Sequence, residues 1–142
     1  MIVLDTCALY WWTNEPAALS AKAASACRKI ATSDALDRQG AKPAGTSTAL
    51  VCSVSLWELG LKAKRGQIDL GCPVREYAER LQQVAGVEIV PADTGLWLES
   101  LELDWTHRDP ADRLIVALAH RRRLPIVTAD KTIRAWYPRT IW

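Results

Sequence analysis

A chain of 142 residues, 49% of them hydrophobic, carries enough apolar surface for one core and little length for another, so a single domain over residues 1–142 is expected. Eighteen basic against 16 acidic residues leave a formal net charge of +2, too balanced for charge alone to diagnose a nucleic-acid binder, although local patches matter more than the sum. No apolar run approaches the roughly 20 residues of a membrane-crossing helix, and Met1-Ile2-Val3-Leu4-Asp5 has an acid where a signal peptide would stay apolar, so a soluble, cytoplasmic protein with no membrane role is expected.

In chain order, Ile2-Val3-Leu4 is a short β-branched-rich run stopped by Asp5-Thr6, the pattern of a strand buried on both faces. Residues 17–36, rich in Ala, Lys and Arg, predict a helix; Gly40, Pro43 and Gly45 interrupt it, and Thr46-Ser47-Thr48 continues as loop. Residues 49–54 are the second strand candidate and 56–64 the following helix, with Gly66 and Gly71 bracketing a turn region. A helix over 74–85 sets Tyr77, Leu81 and Val84 on one face; Val87-Glu88-Ile89-Val90 is a third strand, stopped by Pro91, and 94–103 reads as helix. The clearest helix covers 110–123, where Ala111, Leu114, Ile115, Leu118 and Ala119 form a core-facing stripe. A fourth strand over 125–128 ends at Ala129-Asp130, and 139–142 offers a short fifth. This alternation favours an α/β domain with a parallel sheet of four to five strands and helices on both faces.

Cys7, Cys27, Cys52 and Cys72 include no Cys-x-x-Cys pair and no zinc spacing with histidine, so four buried thiols in a reducing compartment are expected. Seven Trp in a chain without Phe are expected to do core or dimer packing, with Trp11 or Trp12, close after Asp5, able to stack on a base.

Acids stand at comparable places. Asp5 ends the first strand, Glu58 lies in the first turn after the second, Asp109 and Asp112 open the 110–123 helix, and Asp130 follows the fourth strand. Ligands of open parallel sheets bind beyond the carboxyl ends of the strands, so these acids are candidates to converge. Neighbouring carboxylates disfavour one another's ionisation. A hard divalent cation removes that conflict, and Mg²⁺ prefers carboxylate oxygen and water. With no Lys or His beside the cluster, the chemistry pointed to is phosphodiester hydrolysis. Each acid also has a structural explanation. Ser55-Leu56-Trp57-Glu58 matches a capping box; Asp109-Pro110-Ala111-Asp112 places an N-cap acid, Pro at the first helical position and an acid at the third; Asp5 and Asp130 could cap the turns that follow them. Their joint position at one end of successive strand–helix units favours the functional reading.

Four segments carry a resemblance: Val3-Leu4-Asp5-Thr6, Ser53-Val54-Ser55-Leu56-Trp57-Glu58-Leu59, His107-Arg108-Asp109-Pro110-Ala111-Asp112-Arg113-Leu114-Ile115 and Val127-Thr128-Ala129-Asp130. In order, from Ile2 to Asp130, they resemble the motifs of PIN-domain ribonucleases, most closely the VapC toxins of bacterial toxin–antitoxin pairs. The resemblance implies a three-layer fold, an Mg²⁺- or Mn²⁺-dependent endoribonuclease with a 3′-hydroxyl leaving group, a homodimer, and a cognate antitoxin that blocks the site. It also implies roles. Asp5 and Asp112 are metal ligands, and Glu58 and Asp130 bind a second ion or orient water. Asp109 is a helix cap with a supporting role, and Thr6 and Thr128 are hydroxyls near the metal. Arg113 is a candidate for touching RNA. Lys62, Lys64, Arg65 and Arg121 to Arg123 could contact phosphates, although Arg at a helix C-terminus also offsets the macrodipole. His107 and His120 are expected to be structural or surface residues. Residues 32–48 are longer than this family usually has there.

Two other readings compete. One is a catalytically silent PIN-like module that binds RNA or protein. The other is a phosphotransfer domain, but a haloacid-dehalogenase-like phosphatase would need a second Asp where Cys7 stands, and the acidic pattern of receiver domains is not met.

Overall fold

The computed structural model describes residues 1–30 and 47–142. Strand β1 (Ile2–Leu4) is apolar on both faces and buried throughout. At its end Asp5 takes extended backbone and its carboxylate accepts from the Ala8 amide at 2.6 Å, an N-cap that starts α1 (Thr6–Asn14). The sequence reading assigned no helix there. After a 3₁₀ turn over Pro16–Ala18, the Ser20 hydroxyl caps α2 (Ala21–Cys27). The helix expected over 17–36 is therefore shorter and starts later. The chain turns at Arg28, and Ile30 enters the core and bridges Ser47 in parallel, which takes Ser47 out of the expected loop. The rest of that helix, with Gly40, Pro43, Gly45 and Thr46, lies outside the described residues, as does most of the 32–48 stretch.

Strand β2 (Ala49–Cys52) is shorter than expected, because Ser53 and Val54 already belong to α3 (Ser53–Lys64). Ser55 is thus inside the helix, and the capping box with Glu58 does not form: Cys52 is the cap residue and makes no side-chain cap bond. There follow α4 (Val74–Gln82), β3 (Val87–Val90), α5 (Thr94–Glu102), α6 (Pro110–Arg122), β4 (Ile126–Val127), α7 (Lys131–Trp136) and β5 (Thr140–Ile141). Helix α6 closes on Arg123 in the left-handed conformation (φ 55°), whose amide returns to the Ala119 and His120 carbonyls. The sequence reading also lacked α7, a helix of six residues with one buried side chain, Ile133, too short to display a period.

The strands form one parallel sheet in the order β3-β2-β1-β4-β5. The two-residue period of β1 divides the core. Ile2 and Leu4 pack with Leu9, Val51, Leu59 and Leu81, while Val3 packs with Leu50, Leu114, Leu118 and Ile126 on the opposite face. Three layers result, as expected. Because the chain runs from β1 to β2 on one side and later to β4 on the other, the order reverses at β1, and the crevice of such a sheet opens beyond the carboxyl ends there.

Trp11, Trp12, Trp105, Trp136 and Trp142 are partly buried and packed against the core, while Trp57 and Trp97 are exposed. One packing expectation is corrected: Cys27 and Cys52 are buried thiols, whereas Cys7 is exposed. No helix among the described residues is long and apolar enough to cross a membrane.

Candidate active site

Asp5, Asp109 and Asp130 each start a helix, and each does so through one oxygen. Asp5 Oδ1 takes the Ala8 amide; Asp109 Oδ1 takes those of Ala111 (2.9 Å) and Asp112 (3.3 Å); Asp130 Oδ1 takes those of Thr132 (2.7 Å) and Ile133 (3.0 Å). Capping and a second role are therefore compatible, since the helix amides leave Oδ2 unused. Asp5, 5% exposed, is also hydrogen-bonded by the buried Thr128 hydroxyl, whose oxygen accepts from the Asp130 amide at 3.0 Å. Thr128 thus ties the end of β4 to the end of β1.

The acids feel one another. Burial pushes the Asp5 carboxyl up to about 6, and the charges of Asp112 and Asp130 add to this, against the pull of Thr128 and Ala8. Glu58, half-buried, is raised by burial and by Asp109 and Asp112, while Thr6 and Lys62 draw it down. Asp112 is raised by burial and by Asp109 and Asp130, while its hydrogen bond to His107 draws it down. Asp5, Glu58, Asp109, Asp112 and Asp130 thus share one electrostatic neighbourhood at the switch point of the sheet.

The expectation of no Lys or His beside the cluster is corrected. His107 Nε2 lies 2.7 Å from Asp112 Oδ2, and Lys62 faces Glu58, with its Nζ 3.9 Å from Cys7 Sγ. Both were visible in the sequence, His107 within the quoted motif and Lys62 one helical turn beyond Glu58. Their pairings were not. Thr6 binds Glu58 by a hydrogen bond from its hydroxyl, and buried Ser55 lies 3.0 Å from the same hydroxyl.

Arg113, a candidate for touching RNA, is engaged by backbone: its guanidinium donates to the carbonyls of Ser100 (2.9 Å from Nε), Trp105, His107 (3.0 Å) and Leu103 (3.2 Å), so it holds the segment leading into α6. Arg121 pairs with Glu99 at 2.7 Å and Arg122 with Glu88 at 4.0 Å, at the end of α6 away from Asp112.

The donor set at Asp5 and Asp112 is carboxylate oxygen, and burial makes the charged forms costly, so its chemistry fits a hard divalent cation. As the side chains stand, no three His, Cys, Asp or Glu among the described residues are gathered into a cation cage. Beside Thr6 and Cys7 opens a cleft of about 640 Å³ whose walls include Trp11, Lys62, Gln67 and Asp69.

A carboxylate cluster at the carboxyl edge of a parallel sheet in this strand order is the arrangement that the sequence motifs anticipate. Residues 2–137 match the PIN domain family, and the chain belongs to it. It is 33% identical, over 99% of its own length and 98% of the relative's, to ribonuclease VapC22 of Mycobacterium tuberculosis. Its fold is similar to that of a chain in a toxin–antitoxin complex from Klebsiella pneumoniae, with a TM-score of 0.60 and 16% identity over all of this chain and 97% of that one. The resemblance drawn from the motifs is borne out.

Proposed function

We propose that this chain, as a single domain over residues 1–142, is a divalent-metal-dependent endoribonuclease acting as the toxin of a type II toxin–antitoxin pair. The observation that carries the reading is the nearness of Asp5 and Asp112, far apart in the sequence: Asp5 ends β1 beside the start of α6, and the Asp112 charge raises its buried carboxyl. The ribonuclease relative and the likeness to a toxin–antitoxin complex support it.

In this reading Asp5 and Asp112 hold Mg²⁺ or Mn²⁺. When bound, the ion supplies positive charge for activating water and steadying the phosphoryl oxygens. Glu58 and Asp130 orient water or hold a second ion, Thr6 orients Glu58, Thr128 orients Asp5, and Asp109 supports the start of α6. Water adds to phosphorus as the bond to the ribose 3′ oxygen breaks, and the leaving oxygen takes up a proton. Lys62 and Trp11, in the adjoining cleft, suit a phosphate and a base of single-stranded RNA.

The apolar side chains exposed on α3 and α5, Trp57, Trp97, Leu98 and Leu101, are the surface for a homodimer. A cognate antitoxin covers the acidic site, and the protein works in the cytoplasm. The competing reading is a catalytically silent module that binds RNA or protein.

Incubating the purified chain with total RNA in Mg²⁺, Mn²⁺ or EDTA, beside Asp5→Asn and Asp112→Asn, separates them. Cleavage that needs metal and both acids is expected. Tight RNA binding without turnover in either metal would give the silent module instead.

A further inference from the structure

Every acid in the site is held by something, and the holders differ. Asp5, Asp109 and Asp130 are fixed through Oδ1 by amides of the helices they start, and Glu58 is fixed by Thr6. Asp112 sits at the third position of α6, where its carboxylate takes no cap amide. Among the described residues, its side-chain hydrogen bond is to His107 alone.

We propose that His107 is the positioning residue that sets the Asp112 carboxylate for the cation, an inference that rests on the reading of Asp112 as a metal ligand. An ionised carboxylate only accepts, so Nε2 donates to Oδ2, and Oδ1 has no donor among the described residues. His107 is itself held from two sides. Its ring stacks on Trp105 (centroids 4.5 Å, interplanar angle 26°), which stacks on Trp136 of α7 (5.3 Å, 21°), and the Trp136 indole donates to the Asp104 carbonyl at 2.9 Å. Its carbonyl accepts from Arg113 at 3.0 Å. Consecutive residues of α6 thus grip one segment, Arg113 by the backbone and Asp112 by the imidazole. A partner so anchored removes rotamers that the Asp112 side chain would otherwise sample, which lowers the ordering cost of binding an ion.

Two substitutions separate the hydrogen bond from the stacking. His107→Gln keeps a donor and loses the ring; His107→Phe keeps a ring on Trp105 and loses the donor. Mn²⁺ affinity is read on the full chain by titration calorimetry, beside RNA cleavage across Mn²⁺ concentration and a thermal melt to verify folding. His107→Phe is expected to bind Mn²⁺ about 10- to 100-fold more weakly, with cleavage recovering as Mn²⁺ is raised, and His107→Gln to stay close to the parent. If His107→Phe melts too early to assay, His107→Ala takes its place with the same expectation. Unchanged affinity in the donor-less variant, or a loss in His107→Gln that matches it, overturns the proposal. Asp112→Asn that binds Mn²⁺ and cleaves like the parent would instead overturn the assignment of Asp112.

Discussion

Thr6 on α1 and Glu58 on α3, separated by 52 positions in the chain, are joined by a hydrogen bond from hydroxyl to carboxylate Oε2. That bond opposes burial in setting the Glu58 pKa, so removing it sends the carboxyl further up. Thr6→Val is expected to move the acidic limb of the pH–rate profile for RNA cleavage to higher pH and to cost about 1–3 kcal/mol of stability, because buried Ser55 also loses its neighbour. Thr6→Ser should restore both. A pH profile of Thr6→Val that overlays the parent's would remove Thr6 from the site.

Asp5 couples the site to stability. Its carboxyl sits at about 6 in the fold against 3.8 when solvated, so its contribution to stability is complete below pH 3.8 and is lost as pH rises through about 6. Above that, the charged form burdens the metal-free fold by an amount on the order of 3 kcal/mol. Asn caps a helix as well as Asp does. Chelated Asp5→Asn is therefore expected to melt above the parent at pH 7, to converge with it near pH 4, and to cleave no RNA. Mg²⁺ or Mn²⁺ should raise the melting temperature of the parent at pH 7 and leave Asp5→Asn nearly unmoved. Parallel melting curves across this pH range would contradict the assignment.

Arg113 organises the approach to α6. Arg113→Leu strands several carbonyls between Ser100 and His107, and a loss of roughly 2–4 kcal/mol in urea denaturation is expected, with new protease sensitivity in that segment. Arg113→Lys should recover only part, since one ammonium cannot span the positions that a planar guanidinium reaches.

Leu101 is 74% exposed and Trp57 63%, so replacing either by Glu should change the stability of a monomer by no more than about 0.5 kcal/mol. Sedimentation velocity is expected to show a dimer for the parent and a monomer for Trp57→Glu combined with Leu101→Glu. An unchanged sedimentation coefficient would put the dimer surface elsewhere.

The strands and the acids were legible for related reasons. Strands β1, β2 and β4 are continuous apolar runs, and Asp5 and Asp130 stand just after two of them, so their placement at one sheet edge follows from parallel topology. Helix α1 has a local signal, Asp5 as cap before buried Ala8 and Leu9, which the sequence reading took as the cap of a turn and not of a helix. The capping box failed because Ser53 enters the helix earlier than the motif implied. What sequence could not carry were pairings across the fold, Thr6 with Glu58 and Thr128 with Asp5, because each depends on strand register and no local pattern encodes it. His107 and Asp112 are near neighbours in the chain, yet their contact depends on how Arg113 folds the preceding segment back.

Strand β1 lies between β2 and β4, and Val3 pairs with both Leu50 and Ile126. During synthesis the first of these partners emerges early and the other only when most of the chain exists. Until then β1 has one open edge, and Asp5 and Glu58 have neither Asp112 nor Asp130 beside them. An enzyme that cuts RNA would on this account be born inert on the ribosome that makes it, its active centre closing only after residue 130 has been added, late enough for a partner protein already in the cell to be waiting.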